Sequence, residues 1–204
     1  MIARKGRYQM QITNKFTELP EDVQNLLHHI TLDVLVSNPA FKPISGDQSR
    51  GLLFEIDNAS LVIKWFTQKA RADHDIDALL DLTDIEYIPK LYSYEIRSYL
   101  VMEKVPGASV SSLLEHGQFS EAVLKEIKKQ YLHAVQLCYK AGRFDWDFKL
   151  DHIFWDQSRN KIMLIDFGEY SRVSEAITAS DIEDRSIEFD EDVKEILSSV
   201  NRSL

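Results

Sequence analysis

The sequence is poor in cysteine, in uninterrupted apolar runs and in clustered positive charge. Cys138 is the single cysteine among 204 residues, which excludes an internal disulfide and a cysteine-based zinc site. It falls within an apolar helical pattern and reads as a buried structural thiol. No apolar run approaches the roughly 20 residues that a bilayer-spanning helix requires, so no membrane partner is expected. Arg4, Lys5, Arg7 and Lys15 interrupt the first residues. They leave no apolar signal core, and the expected compartment is the cytoplasm. Basic residues number 24 against 33 acidic ones, a net charge of −9. Nucleic acids reward clustered Lys and Arg. Only residues 1–7 lean basic, so no nucleic-acid partner is expected either. No internal repeat or low-complexity tract is visible.

What is there is ordinary globular composition, 44% hydrophobic and 28% charged, in a chain long enough to bury a core. One domain, or two small lobes, is the expectation. Pro20, Glu21 and Asp22 open a helical pattern with Val23, Leu26, Leu27, Ile30 and Val34 on one stripe, ending near Ser37-Asn38-Pro39. The spacing predicts one helix over about residues 20–36, to brace the first lobe or form a dimer contact. Strand-like runs follow at 52–56 and 61–66, joined by a turn at Asp57-Asn58, then a helical stretch at 69–82 and strands at 90–94 and 98–103. Pro106-Gly107 punctuates the chain. Beyond it, Ser120 is placed to cap a long helix carrying Val123, Leu124, Ile127, Tyr131, Ala134, Val135 and Cys138 at helical spacing, stopped by Ala141-Gly142. Residues 153–155 and 161–165 read as a hairpin, and 190–200 as an acidic-capped helix. Strands dominate the first part and helices the second.

Three short stretches could carry chemistry. Lys64 closes the run Leu61-Val62-Ile63 and shares a strand face with Val62. A lysine facing inward needs an anionic partner, which phosphate oxygens supply; an edge lysine reaching solvent is the plainer alternative. Upstream, Gly46 and Gly51 flank a short turn where backbone amides could approach phosphates, and a plain hairpin accounts for them equally. Downstream, Asp166-Phe167-Gly168 follows the apolar run Met163-Leu164-Ile165. A carboxylate at a strand end suits Mg²⁺, a hard cation with oxygen ligands.

Between them lies Phe144-Asp145-Trp146-Asp147-Phe148-Lys149-Leu150-Asp151-His152-Ile153-Phe154. This segment resembles the catalytic loop of the protein-kinase-like superfamily, and the order of all four stretches fits over residues 44–170. The resemblance implies an α+β, bilobal fold: a β-rich N-lobe with its N-terminal helix over 1–105 and a truncated helical C-lobe over 106–204. It implies ATP and Mg²⁺ as cofactors, with Mn²⁺ as the alternative. By the same resemblance Lys64 contacts the α- and β-phosphates, Gly46 and Gly51 cover them, and backbone groups of Glu103 and Val105 pair with adenine beside Met102. Asp147 is the base, Lys149 neutralises the transferred phosphoryl and Asp166 holds the metal. Asp75 is the carboxylate expected to pair with Lys64, because Ile76 and Leu79 then fall on the packing side; Asp77 is second, and a solvated acidic face is the bland reading.

The chain departs from the family pattern at several places. Gln48 replaces a phosphate-loop glycine, and Asp145-Trp146-Asp147 replaces His-Arg-Asp. Losing that Arg removes the partner of an activation-loop phosphate. His152 stands where the second metal ligand is an asparagine; it is either a metal ligand or a structural histidine. Only 36 residues follow Gly168, counting from 168 to 204. The chain thus resembles minimal bacterial-type kinases of the RIO, tRNA-modification-linked and lipopolysaccharide-kinase branches, with no peptide-docking platform expected. Three readings stay open: a small serine/threonine protein kinase, a pseudokinase that regulates a partner, and a small-molecule or sugar kinase. The acceptor is accordingly a protein or small-molecule hydroxyl, and the oligomeric state is left open.

Overall fold

The computed structural model describes residues 9–44, 51–56, 59–68, 72–175 and 177–203. Gly46, Gln48, the Asp57-Asn58 turn and residues 69–71 lie outside the described residues. The chain divides into two compact units, Met1–Asp77 with Lys90–Lys104, and Ala78–Pro89 with Val105–Leu204. Residues 78–89, expected with the first part of the chain, thus count to the second unit.

The first unit is built on a six-stranded antiparallel sheet. Its strands are β1 (Gln11–Ile12), β2 (Phe41–Pro43), β3 (Gly51–Ile56), β4 (Leu61–Phe66), β5 (Leu91–Glu95) and β6 (Tyr99–Glu103), in the order β1-β5-β6-β4-β3-β2. The central strand β4 pairs on both sides, Lys64 standing opposite Leu53 of β3 and Leu100 of β6. That position explains its apolar run: Leu61, Val62, Ile63 and Phe66 are all buried, as expected of a strand covered on both faces. Trp65 stacks on its cross-strand partner Tyr99 at 5.8 Å. Phe16, Leu27, Leu35, Phe41, Phe54 and Ile63 belong to one apolar core.

The helix expected over residues 20–36 is two helices, α1 (Glu21–Leu27) and α2 (Leu32–Ser37). Thr31 causes the break. It is extended, at φ −140° and ψ 163°, and its hydroxyl accepts the Val34 N–H. A threonine able to satisfy an orphan amide favours a new N-cap over continuation of the helix. The break lets Leu27, Ile30 and Leu35 all reach the core. Helix α3 (Ala72–Asp81) follows; residues 72–77 count to the first unit and 78–81 to the second.

In the second unit, β7 (Ala108–Ser109) runs into α4 (Val110–Glu115), capped by the Ser109 hydroxyl. Helix α5 (Glu121–Lys140) starts at Ser120, whose hydroxyl accepts the Val123 N–H at 3.3 Å. Its buried face is Ile127, Tyr131, Ala134, Val135 and Cys138, each large apolar side chain contributing about 1.5–3 kcal/mol of burial. Burial pushes the Cys138 thiol up to about 12, so it is inert, as a structural cysteine should be. Gly142, at φ 78°, ends the helix in the left-handed region that glycine tolerates.

Then come β8 (Arg143–Asp145), β9 (Ile153–Asp156), β10 (Lys161–Leu164) and β11 (Tyr170–Arg172). The β9–β10 hairpin is the expected one, and β7 joins it as a third strand. Gln130 of α5 pins its turn, donating to the Asn160 carbonyl and accepting the Ile162 N–H, both at 3.0 Å. The last helix, α6 (Ala179–Ser203), begins well before the expected 190–200 segment and packs on α4 and α5. Thr178 and Asp181 form a reciprocal cap that starts it. None of the described helices is long and apolar enough to cross a membrane.

Gly107 gives a direct test of this packing. It has φ 89°, and a Cβ there would lie 2.0 Å from the Trp155 carbonyl oxygen. Gly107→Ala therefore combines backbone strain with a clash against a strand. A loss of at least about 2 kcal/mol is expected in urea unfolding, and a change below about 0.5 kcal/mol would overturn this account of the β7–β9 junction.

Candidate active site

Two sets of chemical groups sit on this scaffold, one in each unit. In the first unit the Lys64 ammonium meets the Asp75 carboxylate at 2.8 Å, with the two side chains 14% and 6% exposed. Strand alternation aims Lys64 to the same side as Val62, and the first turns of α3 aim Asp75 inward beside buried Ile76. Asp77 is exposed. Asp75 is therefore the carboxylate that meets Lys64, despite being one methylene shorter than a glutamate. The Lys64 ammonium also lies 5.6 Å from the Phe66 ring centroid.

Gly51 opens β3 opposite Phe66, and a Cβ there would come within 2.7 Å of the Trp65 carbonyl oxygen. Close cross-strand approach is thus reason enough for this glycine. At the end of β6, the Glu103 N–H donates to the Lys90 carbonyl at 2.8 Å and its carboxylate accepts the Lys90 N–H at 3.3 Å. Val105 opens the second unit's longer segment and is partly buried.

In the second unit, residues 145–152 form a loop held at both ends by backbone bonds. β8 pairs with β11, setting Asp145 opposite Tyr170, and the Trp146 N–H donates to the Glu169 carbonyl. At the other end the Ile165 N–H donates to the His152 carbonyl at 3.0 Å. The segment bearing Asp147 and the turn bearing Asp166 are thereby fixed in one frame. Lys149 donates to the Asp147 carboxylate at 2.8 Å, and the Asp147 N–H donates to the Asp145 carboxylate at 2.9 Å.

Burial pushes the Asp145 carboxyl up; the Asp147 N–H, the Arg185 guanidinium and His152 oppose that rise. Asp166 has φ 60° and ψ 77°, a left-handed conformation that costs a non-glycine residue about 1–3 kcal/mol and is found preferentially at functional sites. It starts a one-turn 3₁₀ segment, Phe167–Glu169, with Phe167 fully buried as its anchor.

His152 Nε2 stands 3.6 Å from Asp166 Oδ2. A cation at about 2.1 Å from each atom would bridge such a gap. A ligating imidazole ordinarily donates its other N–H to an acceptor, yet the buried His152 Nδ1 has no hydrogen-bond partner among the described residues. The Asp166 carboxylate fits Mg²⁺, which takes one or two carboxylates and completes its shell with phosphate oxygens and water. The imidazole lacks the support that a committed ligand has. Among the described residues no group of three or more His, Cys, Asp or Glu is placed to hold a metal.

A protein kinase domain family matches residues 61–185, and the chain belongs to that family. A probable serine/threonine-protein kinase of Dictyostelium discoideum is 32% identical over 116 residues, covering 50% of this chain and 17% of that protein. The hormonally up-regulated neu tumor-associated kinase of Mus musculus is 29% identical over 105 residues, 51% of this chain and 15% of the relative. The chain thus spans less than a fifth of the length of these relatives. Among solved structures, the Cydia pomonella granulovirus kinase matches with TM-score 0.60 at 16% identity, covering 82% of this chain and 72% of that one. That likeness establishes the α+β kinase fold.

Two buried arginines escaped the sequence reading. Arg143 of β8 reaches Asp81 at 2.7 Å and donates to the Tyr170 carbonyl at 2.9 Å. Arg185 of α6 is 6% exposed and lies against residues 144–148. The helical spacing of Arg185, Phe189 and Val193, all buried, was the one available signal for the second.

The Lys64–Asp75 pair has a stability signature separate from any activity. Lys64→Met removes the ammonium from a buried carboxylate. Breaking a buried pair from one side costs about 3–5 kcal/mol, and the shorter pair here should lose about 3 kcal/mol in urea unfolding, with Asp75→Glu retaining most of it. Lys64→Met as stable as wild type would show the pair to be energetically idle.

Proposed function

We propose that the protein is an ATP-dependent phosphotransferase, a small serine/threonine protein kinase that moves the γ-phosphoryl of ATP to a hydroxyl. The observation that carries this reading is the second unit's loop, where Asp147 pairs with Lys149 on a backbone frame shared with the left-handed Asp166 turn. The family membership supports it.

In the proposed step Asp147 accepts the proton of the acceptor hydroxyl. The hydroxyl oxygen bonds to the γ-phosphorus as the bond to the β–γ bridging oxygen breaks, and ADP leaves with that electron pair. Such a transfer asks for positioning and charge stabilisation more than for a strong base. An aspartate suffices because the loose transition state needs little proton abstraction. Lys149 neutralises charge on the moving phosphoryl, and Lys64 holds the α- and β-phosphates while Asp75 keeps its ammonium in place. Mg²⁺ would be held by Asp166 and would screen the phosphate charge. Because the Glu103 N–H is engaged by Lys90, adenine pairing at that residue falls to its carbonyl, with the Val105 N–H as the second contact.

A second reading, an ATP-binding regulator without transferase activity, is favoured by His152 in place of an asparagine and by its orphaned Nδ1. The same histidine resembles that of some lipopolysaccharide-core kinases, and a sugar or other small-molecule acceptor is the alternative on that reading.

Labelled ATP with protein and sugar acceptors, in Mg²⁺ and in Mn²⁺, separates these readings. Transfer to protein serine or threonine is expected, reduced about 10²–10⁴-fold by Asp147→Asn and abolished by Asp166→Asn. Thermal stabilisation of about 2.7 kcal/mol at 100 Kd of Mg-ATP, with no label transferred, would establish the regulator instead.

His152→Asn exchanges an imidazole, which softer divalent metals favour, for an amide oxygen, which suits Mg²⁺. Several-fold higher Mg²⁺-supported turnover is expected. Unchanged metal preference would remove His152 from the metal site.

A further inference from the structure

The family's catalytic loop carries an arginine directly before its base, and this chain has Trp146 there, 66% exposed. A guanidinium nonetheless reaches the loop from another element. Arg185, in the second turn of α6, stacks over the Phe144 ring at 4.4 Å and lies 5.9 Å from the Phe148 ring. One of its nitrogens donates to the Asp145 carbonyl, and another donates to Glu188 at 2.6 Å. Phe144 also packs edge-on against Trp146 at 4.7 Å, and Phe148 against Tyr131 at 5.1 Å. The guanidinium thus touches residues on both sides of Asp147, while the Asp145 carboxylate accepts the Asp147 N–H.

We infer that Arg185 is a positioning residue for Asp147, fixing the 144–148 backbone from α6. This rests on Asp147 being the base of a phosphoryl transfer. The planar group suits the task because it stacks and donates at once, and a lysine ammonium does neither with the same geometry. The buried cation is matched from two directions, by Glu188 on its own helix and by the Asp145 carbonyl. It also lies close enough to the Asp145 carboxylate to favour its ionised form. That carboxylate is the acceptor which sets the direction of the Asp147 amide. The position of the base therefore depends on a helix that follows it by more than thirty residues in the chain.

Three readouts on the full chain test this. Arg185→Lys should lower kcat at least about tenfold while the KM for ATP stays within about twofold. In an Asp147→Asn background the same change should add little, because residues acting through one group are not additive. Amide hydrogen exchange on peptides covering residues 144–150, read without ATP, should quicken in Arg185→Lys, with the β9–β10 hairpin unchanged. If Arg185→Lys does not fold, Glu188→Gln decides: it removes one anchor from the half-exposed end of the pair and should shift all three readouts the same way, more weakly. Unchanged loop exchange, or a kcat loss that multiplies fully with Asp147→Asn, would overturn the inference. If wild type transfers no phosphate but Arg185→Lys still loosens the loop, the kinase reading has failed and the anchoring by Arg185 stands.

Discussion

The placement of Asp147 and Asp166 depends on the short ladder between β8 and β11, continued by the His152–Ile165 backbone bond. Asp147 and Asp166 are nineteen positions apart in sequence, and neither side chain could be aimed by its own local structure. The ladder solves this by pairing the residues just before the first carboxylate with those just after the second. The hairpin β9–β10 carries the chain between them, and the Gln130 clamp fixes that hairpin to the long helix α5. A left-handed aspartate can persist only where its flanks are over-determined. Here Leu164 and Phe167, both buried, hold it from either side.

Buried charge follows the same logic. The interior of the second unit holds Arg143 and Arg185, and the first holds the Lys64–Asp75 pair. Each would be costly alone. Each is instead tied to a carboxylate and, for the arginines, to a backbone carbonyl next to a strand end. Arg143 locks the β8–β11 ladder to the end of α3 through Asp81, which Arg172 also approaches at 3.2 Å. These groups give up some stability relative to apolar packing. What they provide is geometric definition, since a fork of donors admits fewer arrangements than a patch of methyl groups.

The sequence revealed those parts of the site that are written in local pattern. The Leu-Val-Ile-Lys run, the Asp-Phe-Gly turn and the Ser120-capped helix each carry a period or a cap that can be read without knowing the fold. Asp75 was legible because the apolar positions of α3 set its face. The break at Thr31 was missed although its cap was present, because the apolar stripe on either side continues in phase across it. The first half of α6 was missed because its exposed face is dense with Asp and Glu, which masks a buried stripe of one arginine and one phenylalanine. Arg185 left only its helical spacing with Phe189 and Val193 as a signal, for a deeper reason. Nothing local separates a buried arginine from a solvated one; only the carbonyl and rings it meets do that, and they belong to residues about forty positions earlier.

That contrast bears on how the family's pattern can drift. The residues that the proposed function sets against ATP, metal or acceptor match the family's pattern in type: Lys64, Asp147, Lys149 and Asp166. The positions that only support them have been exchanged, Asp75 for a longer carboxylate and Asp145-Trp146 for His-Arg. A supporting role can be met from any direction, provided the same atom is held; on the proposal above, Arg185 reaches the loop from α6 while Trp146 faces solvent. His152 is the exception, since an asparagine oxygen and an imidazole nitrogen offer a metal different chemistry from the same place. The support of this site is therefore replaceable in kind; on the proposed reading, position 152 is the one whose exchange would alter how a metal is held.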